Sequence, residues 1–283
     1  MRQRNTTIAA VGVAGLALAA GVLSGPATAG DTDGRSLRAI GLVGDTKLVS
    51  FDVDRPQKTR AVGQVRGLVG DTALVGIDYR VQDSKLYGVG DSGGVYTINP
   101  RTARATRVSQ LTVALDGTTF GVDFNPAADR LRVTSDTGQN LRHDVNPAGV
   151  TVADVTLSYP PTAPPATGIN GSAYTNNDLD PATATTLFAI DTLMDQVAVQ
   201  APANNGTLSA TGKLGVDARR DVGFDIVSRV DGGSTIKNTA YASITTGGRA
   251  AFYKVQLLTG RVSPVGSFPR SHHVRDIALP IDS

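Results

Sequence analysis

"LVGIDYRVQDSKLYGVGDSGGVYTINPRTARATRV", residues 74–108, decides how this chain is read. It contains GDSGG, residues 90–94, the letters that surround the nucleophilic serine of trypsin-like proteases. It also aligns with "FGVDFNPAADRLRVTSDTGQNLRHDVNPAGVTVADV", residues 120–155. Asp78 matches Asp123, Leu86 matches Leu131, and Asp91-Ser92-Gly93 matches Asp136-Thr137-Gly138. After one inserted residue, Asn99-Pro100 matches Asn146-Pro147. The protease-like letters therefore recur as "SDTGQ", each time between two strand-like runs. D-[ST]-G is good hairpin chemistry, because Asp bonds its own backbone and Gly supplies a positive φ. A trypsin-like triad runs His, Asp, Ser along the chain. The three histidines, His143, His272 and His273, all follow Ser92. Ser92 is expected to be a turn residue.

The unit continues. Residues 169–199 give a third copy with an insertion before Leu187, and residues 222–266 give a fourth. Each copy reads as a G-x-D-like first strand, a second strand, a turn, a third strand, a Thr/Gly-rich turn and a fourth strand. The spacing of the copies suits a four-stranded propeller blade. The ends complete the set. Residues 37–65 supply second, third and fourth strands without a first, and "VRDIALP", residues 274–280, resembles a first strand with nothing after it. Joining them closes a ring and removes exposed strand edges. The expectation is an all-β fold, a five-bladed β-propeller closed by the C-terminal strand in the N-terminal blade. The echo of "GLVGDTKLVSFD" (41–52) in "GLVGDTALVGID" (67–78) is the one feature that would fit a sixth blade.

Composition agrees. All 25 acidic residues are Asp, Gly numbers 32, and Trp and Cys are absent. Asp is a poor helix former outside caps, so this is a strand-and-turn composition. The lack of cysteine excludes disulfides, thiolate catalysis and thiolate zinc sites. Residues 1–29 read as an export signal, with Arg2 and Arg4, an apolar run, and "ATA" (27–29) as the cleavage site; residues 30–283 are then one domain. The chain has 27 Lys plus Arg against 25 acids, and without Arg2 and Arg4 the two balance. A neutral mature chain gives no electrostatic case for nucleic acid or acidic membranes. The expected location is extracellular or cell-wall associated, with no membrane insertion after cleavage, as a monomer.

The strings "LYGVGDSGGVYTINP", "SDTGQNLRHDVNP", "AYTNN" (173–177), "TTLFAID" and "NNGTL" (204–208) resemble the bacterial family called domain of unknown function 4394, over about residues 37–280. The resemblance implies a secreted or surface protein with propeller-like repeats, and no established reaction.

Chemistry has four candidate seats. First-strand Asp78, Asp123, Asp225 and Asp276 could face the central channel together. As paired carboxylates they would serve a hydrolase or lyase acting on extracellular polysaccharide, although glycosidase acids are very often Glu. The alternative is that each Asp accepts backbone hydrogen bonds from a neighbouring blade, which one Asp per blade favours. "NNDLDPAT" (176–183) clusters oxygen ligands suited to calcium but lacks the spaced pattern and bidentate Glu of a calcium loop. His272 and His273, adjacent on the chain, point to opposite faces of a strand and do not readily share one metal. No cofactor or metal is expected. Asn140, Arg142, Asn176, Asn177, Asn204 and Asn205 are candidates for a polar surface that binds a glycan or a peptide, against the alternative that Asn serves the turns. The favoured role is a non-enzymatic binding or scaffold module, with the Asp-based enzyme as the alternative.

Overall fold

The computed structural model describes residues 37–160 and 164–281, and the export segment read in residues 1–29 lies outside them. The chain opens with β1 (Arg38–Val43), β2 (Lys47–Asp52) and β3 (Arg60–Gln64). A first complete sheet follows: β4 (Leu74–Arg80), β5 (Lys85–Gly90), β6 (Gly94–Ile98) and β7 (Ala105–Gln110). The second is β8 (Phe120–Asn125), β9 (Arg130–Ser135), β10 (Asn140–His143) and β11 (Thr151–Ala153). The third is β12 (Ile169–Tyr174), β13 (Leu187–Asp191), β14 (Gln196–Gln200) and β15 (Leu208–Lys213). The fourth is β16 (Val222–Asp231), β17 (Ser234–Thr246), β18 (Arg249–Val255) and β19 (Val262–Ser267), and β20 (Val274–Ala278) ends the set.

These strands form five four-stranded antiparallel sheets arranged as a five-bladed β-propeller. We number the complete sheets blades 1 to 4. Blade 5 has the order β20-β1-β2-β3, so the tail of the chain is its innermost strand. Ile40 pairs with Ala278, Gly41 with Ile277 and Leu42 with Asp276. The echo that would have fitted a sixth blade is a similarity of sequence without similarity of structure. Its first copy is the β1–β2 hairpin, whereas its second is the connection from β3 into β4.

The innermost strands touch in a ring, β4 to β8 to β12 to β16 to β20 and back to β4. The G-x-D pattern explains how they approach so closely. A Cβ on Gly76 would stand 2.4 Å from Val122, on Gly121 2.6 Å from the Ser172 nitrogen, and on Gly223 2.5 Å from the Asp276 backbone. In-strand glycine is costly, and here it makes room for the next blade. The middle strands are sandwiched between neighbouring blades and are buried on both faces, as in β9, β13 and β14. Apolar clusters fill the gaps between blades. One gathers Leu42, Leu48, Leu74, Ile77 and Ala278, and another Val49, Phe51, Phe252, Phe268 and Ile277.

The outermost strands share a protective device. The register slips by one residue at Val62, Val108, Thr211 and Val265, so β3, β7, β15 and β19 each carry a bulge. Bulged edges resist pairing with another chain. The fifth outer strand, β11, is only three residues long and needs no bulge.

Candidate functional site

The D-[ST]-G stretches are turns. Gly93, at φ 83°, closes the β5–β6 hairpin. The Thr72 N–H and hydroxyl donate to Asp91 at 2.8 and 2.6 Å, and Thr118 does the same to Asp136 at 2.7 and 2.6 Å. Ser92 donates its backbone N–H to Asp71 at 2.5 Å. The imidazoles are engaged elsewhere: His272 with Thr59, His143 with Thr151 and Ser109, and His273 with Thr245. Burial holds the His143 imidazole below its ordinary range, so it stays neutral between its two hydroxyls.

The inner strands bring the repeated aspartates together. Carboxylate oxygens of Asp78, Asp123 and Asp225 lie within 4.8 Å of one another, and all three side chains are buried, as is Asp276. Each carboxylate reaches across to the next blade. The Ile77 N–H donates to Asp276 at 2.7 Å, Phe124 to Asp78 at 2.8 Å, Tyr174 to Asp123 at 3.0 Å and Leu279 to Asp225 at 2.5 Å. Four of the five seams are thus stitched by an inner-strand Asp. The exception is the seam from blade 3 to blade 4, where Ala173 stands in the Asp position.

That seam is closed by the residues that follow. Asn177 donates from its backbone to Ser228 Oγ and from its amide to the Ile226 carbonyl, both at 2.8 Å. Asn176, at φ 62°, exchanges hydrogen bonds with Asn238 at 3.0 and 2.7 Å. The Thr235 N–H donates to Asp178 at 2.8 Å and the Ser234 hydroxyl to Asp180 at 2.5 Å. Side-chain oxygens of Asn176, Asp178 and Asp180 in "NNDLDPAT" are therefore engaged by the long β16–β17 hairpin.

A third group joins blades 2 and 3 around Arg132, whose side chain is 3% exposed. Its guanidinium donates to Asp154 at 2.7 Å, Asn140 at 2.7 Å, Asn204 at 2.8 Å and the Tyr174 hydroxyl at 3.3 Å. The Asn140 amide donates to the carbonyls of Val155 and Ala203, both at 3.0 Å. Arg142 meets the same Asp154 at 2.9 Å from a half-exposed position. The "QNLR" and "NNGTL" strings meet here, and Asn205 is left exposed beside them. Arg132 and Asp154 were not singled out from the sequence. Their signal is an arginine set between Leu131 and Val133 in the middle of a buried strand, a position that demands a carboxylate once both faces are covered.

The electrostatics of the channel follow from its burial. Loss of water raises Asp78, with the Asp225 charge adding to it against the hydrogen bonds from Phe124 and Tyr79. Burial raises Asp123, aided by the charges of Asp78 and Asp225, and burial likewise raises Asp276. Asp225 is pushed up to about 7, by burial against the hydrogen bonds from Leu279 and Ile226. Three hard oxygens could contact a cation, but calcium takes about six to eight oxygen ligands, and backbone N–H groups already occupy part of this set. As a glycosidase pair the carboxylates are poorly placed, because they sit in the wall between packed strands and are spent on the backbone.

A pH dependence follows. A carboxyl raised in the folded state above its unfolded value binds protons on folding. Its stabilisation is complete below the unfolded value near 3.8 and is lost as pH rises through the folded value, about 7 for Asp225. The melting temperature is expected to fall by several degrees between pH 5 and pH 8. Asp78→Asn keeps an acceptor for Phe124 and removes a charge, so it should flatten that fall. Asp78→Ala strands a buried N–H and should cost about 1–3 kcal/mol at every pH. Thermal melts across the range check this, and a melting temperature that rises with pH would refute it.

A surface cavity of about 390 Å³ opens on blade 1, lined by Tyr79, Ser84, Lys85, Thr97, Asn99 and Arg104 among others. None of these six was named as a site residue from the sequence, because it is the pairing of the blade's successive strands that brings them together.

This architecture, with its inter-strand carboxylates, defines the class: a five-bladed propeller with a buried acidic centre. The chain belongs to the family described as Domain of unknown function (DUF4394), whose model matches residues 47–278. No curated protein matches it. Among solved structures it is similar to a structural genomics protein of unknown function from Bacteroides thetaiotaomicron VPI-5482, at 14% identity and a TM-score of 0.45, over 83% of this chain and 59% of that one. A protein from Lactobacillus plantarum matches at 18% identity and 0.40, over 82% of this chain and 67% of that one. An auxiliary nutrient binding protein from Bacteroides ovatus ATCC 8483 matches at 12% and 0.39, over 78% of this chain and 58% of that one. The chain thus spans less than two thirds of the first and third of these.

Proposed function

We propose that this protein is a secreted, non-catalytic binding module that acts as a monomer, with the blade 1 cavity as its ligand seat. The cavity carries the reading: its volume of about 390 Å³ is within the range of small-molecule sites, and its wall combines an aromatic ring with several hydroxyls and an amide. Burial, together with the Asp78 and Asp225 charges, pushes the Tyr79 hydroxyl up to about 12, so it is a neutral donor at working pH. The carboxylates that would carry hydrolysis are instead held by backbone N–H groups across the seams. The Asn-rich strings brace the seams of blades 2, 3 and 4, with Asn204 and Asn205 exposed and Arg142 half-exposed.

The test is calorimetric titration of the purified protein with glycan and cell-wall fractions, alongside a screen for product release. Saturable binding without turnover, weakened by Tyr79→Ala, is the expected result. Product release that vanishes in Asp78→Asn or Asp225→Asn would instead establish the alternative, an enzyme acting on extracellular polysaccharide.

A further inference from the structure

We infer that the blade 1 cavity selects an anionic, hydroxyl-rich ligand, a sugar acid that bears a carboxylate; this rests on the binding reading above. The main chain brings two arginines side by side. Arg66 and Arg104 face each other in an isolated parallel bridge, with the Arg66 N–H donating to the Ala103 carbonyl at 3.1 Å and the Ala105 N–H to the Arg66 carbonyl at 2.8 Å. Residues opposite one another in such a bridge project to the same side. Both arginines are exposed, and neither side chain has a hydrogen bond or ion pair with another described residue. Several other exposed arginines also lack such a partner, and these two differ from them in lying side by side; Arg38, Arg55, Arg80, Arg130, Arg132 and Arg275 each meet an Asp.

Arg104 lines the cavity, and Arg66 lies beside it across the bridge, outside the lining itself. Lys85 adds a third cation and shares Asp83, at 3.3 Å, with Arg80 at 3.6 Å. The remaining polar lining is suited to donate. Asn99 spends its side-chain oxygen on the backbone N–H groups of Arg101 and Thr102, which leaves its amide free to point at a ligand. Ser84 and Thr106 supply hydroxyls, Thr97 turns its own toward the Thr106 carbonyl at 3.4 Å, and Tyr79 offers an aromatic surface. A guanidinium fork matches a carboxylate in two parallel hydrogen bonds, and an anion placed between like charges relieves their repulsion. Hydroxyls and a ring beside the fork select a saccharide over a bare anion.

The experiment titrates the full chain with trigalacturonate, with its neutral galactose counterpart and with inorganic phosphate, at low and high salt. Trigalacturonate is expected to bind, more weakly as salt rises. Arg104→Ala should lose roughly 10- to 100-fold in affinity, since hydrogen bonds to charged groups are lost. Arg104→Lys should fall in between, keeping charge without the fork. Melting should be unchanged in both, because the side chain is exposed. Equal binding of the neutral sugar, or indifference to Arg104→Ala, would overturn the anionic assignment while leaving the binding reading intact. Phosphate binding as tightly as trigalacturonate would overturn the sugar-acid class. Failure of all three probes at millimolar concentration would overturn this assignment of the cavity, and the cell-wall titration separately judges the binding reading.

Discussion

A chain ended after His273 is expected not to fold cooperatively. The lost segment is the innermost strand of blade 5, and its Val274, Ile277 and Leu279 are each at most 2% exposed. Fully burying a Val, Leu or Ile side chain contributes about 1.5–3 kcal/mol. Three of them approach the whole stability of an ordinary domain, roughly 5–15 kcal/mol. Two stitches go as well: Asp276 no longer accepts from Ile77, and Asp225 no longer accepts from Leu279. β1 would then present an unpaired edge to solvent, which favours association. Circular dichroism and a thermal melt of the truncated chain check this. Addition in trans of a peptide of residues 272–281 should restore the transition. A truncated chain that melts like the intact one would show that the ring does not depend on its closing strand.

Asp154→Ala is expected to be among the most damaging single substitutions. The Asp154 side chain is 5% exposed, and it is the only carboxylate bonded to the buried guanidinium of Arg132 among the described residues. Removing one partner of a buried ion pair costs about 3–5 kcal/mol, because the other charge is left without compensation. At about 2–4 °C per kcal/mol for a domain of this size, the melting temperature should fall by roughly 10 °C. The remaining partners of Arg132, at Asn140, Asn204 and Tyr174, are neutral and cannot replace the charge. Arg142→Ala gives the contrast: its side chain is 36% exposed, and its loss should cost under about 1 kcal/mol. Comparable effects from the two substitutions would mean that the knot between blades 2 and 3 is not organised around Arg132.

Three of the strings that carry the family resemblance acquire a physical role from these contacts. "QNLR" and "NNGTL" meet at the seam of blades 2 and 3, and "AYTNN" closes the one seam that lacks an inner-strand Asp. A chain with no disulfide needs other ways to lock blades to each other. Here the locks are an aspartate per seam, replaced once by asparagines, with one buried arginine added.

The repeat, the turns and the ring closure were legible in the sequence because they are local. Alternation, Asp and Gly at turn positions, and an incomplete unit at each end are properties of short segments, and Gly76-Ile77-Asp78 repeats as Gly121-Val122-Asp123 and Gly223-Phe224-Asp225. What that pattern is for is a property of neighbours: the glycine admits the adjacent strand, and the aspartate holds its N–H. Whether Asn140 and Asn177 bind a ligand or brace a seam could not be read from residue type, since the same amide serves both; only the partner across the blade decides it. The cavity was hidden for the same reason, as Tyr79, Lys85, Thr97 and Arg104 are drawn together by pairing rather than by spacing. Sequence alone determined the architecture, because strand and turn preferences act over a few residues. The tertiary structure alone decided where charge is compensated and where it is left open, because those balances are struck between residues far apart in the chain.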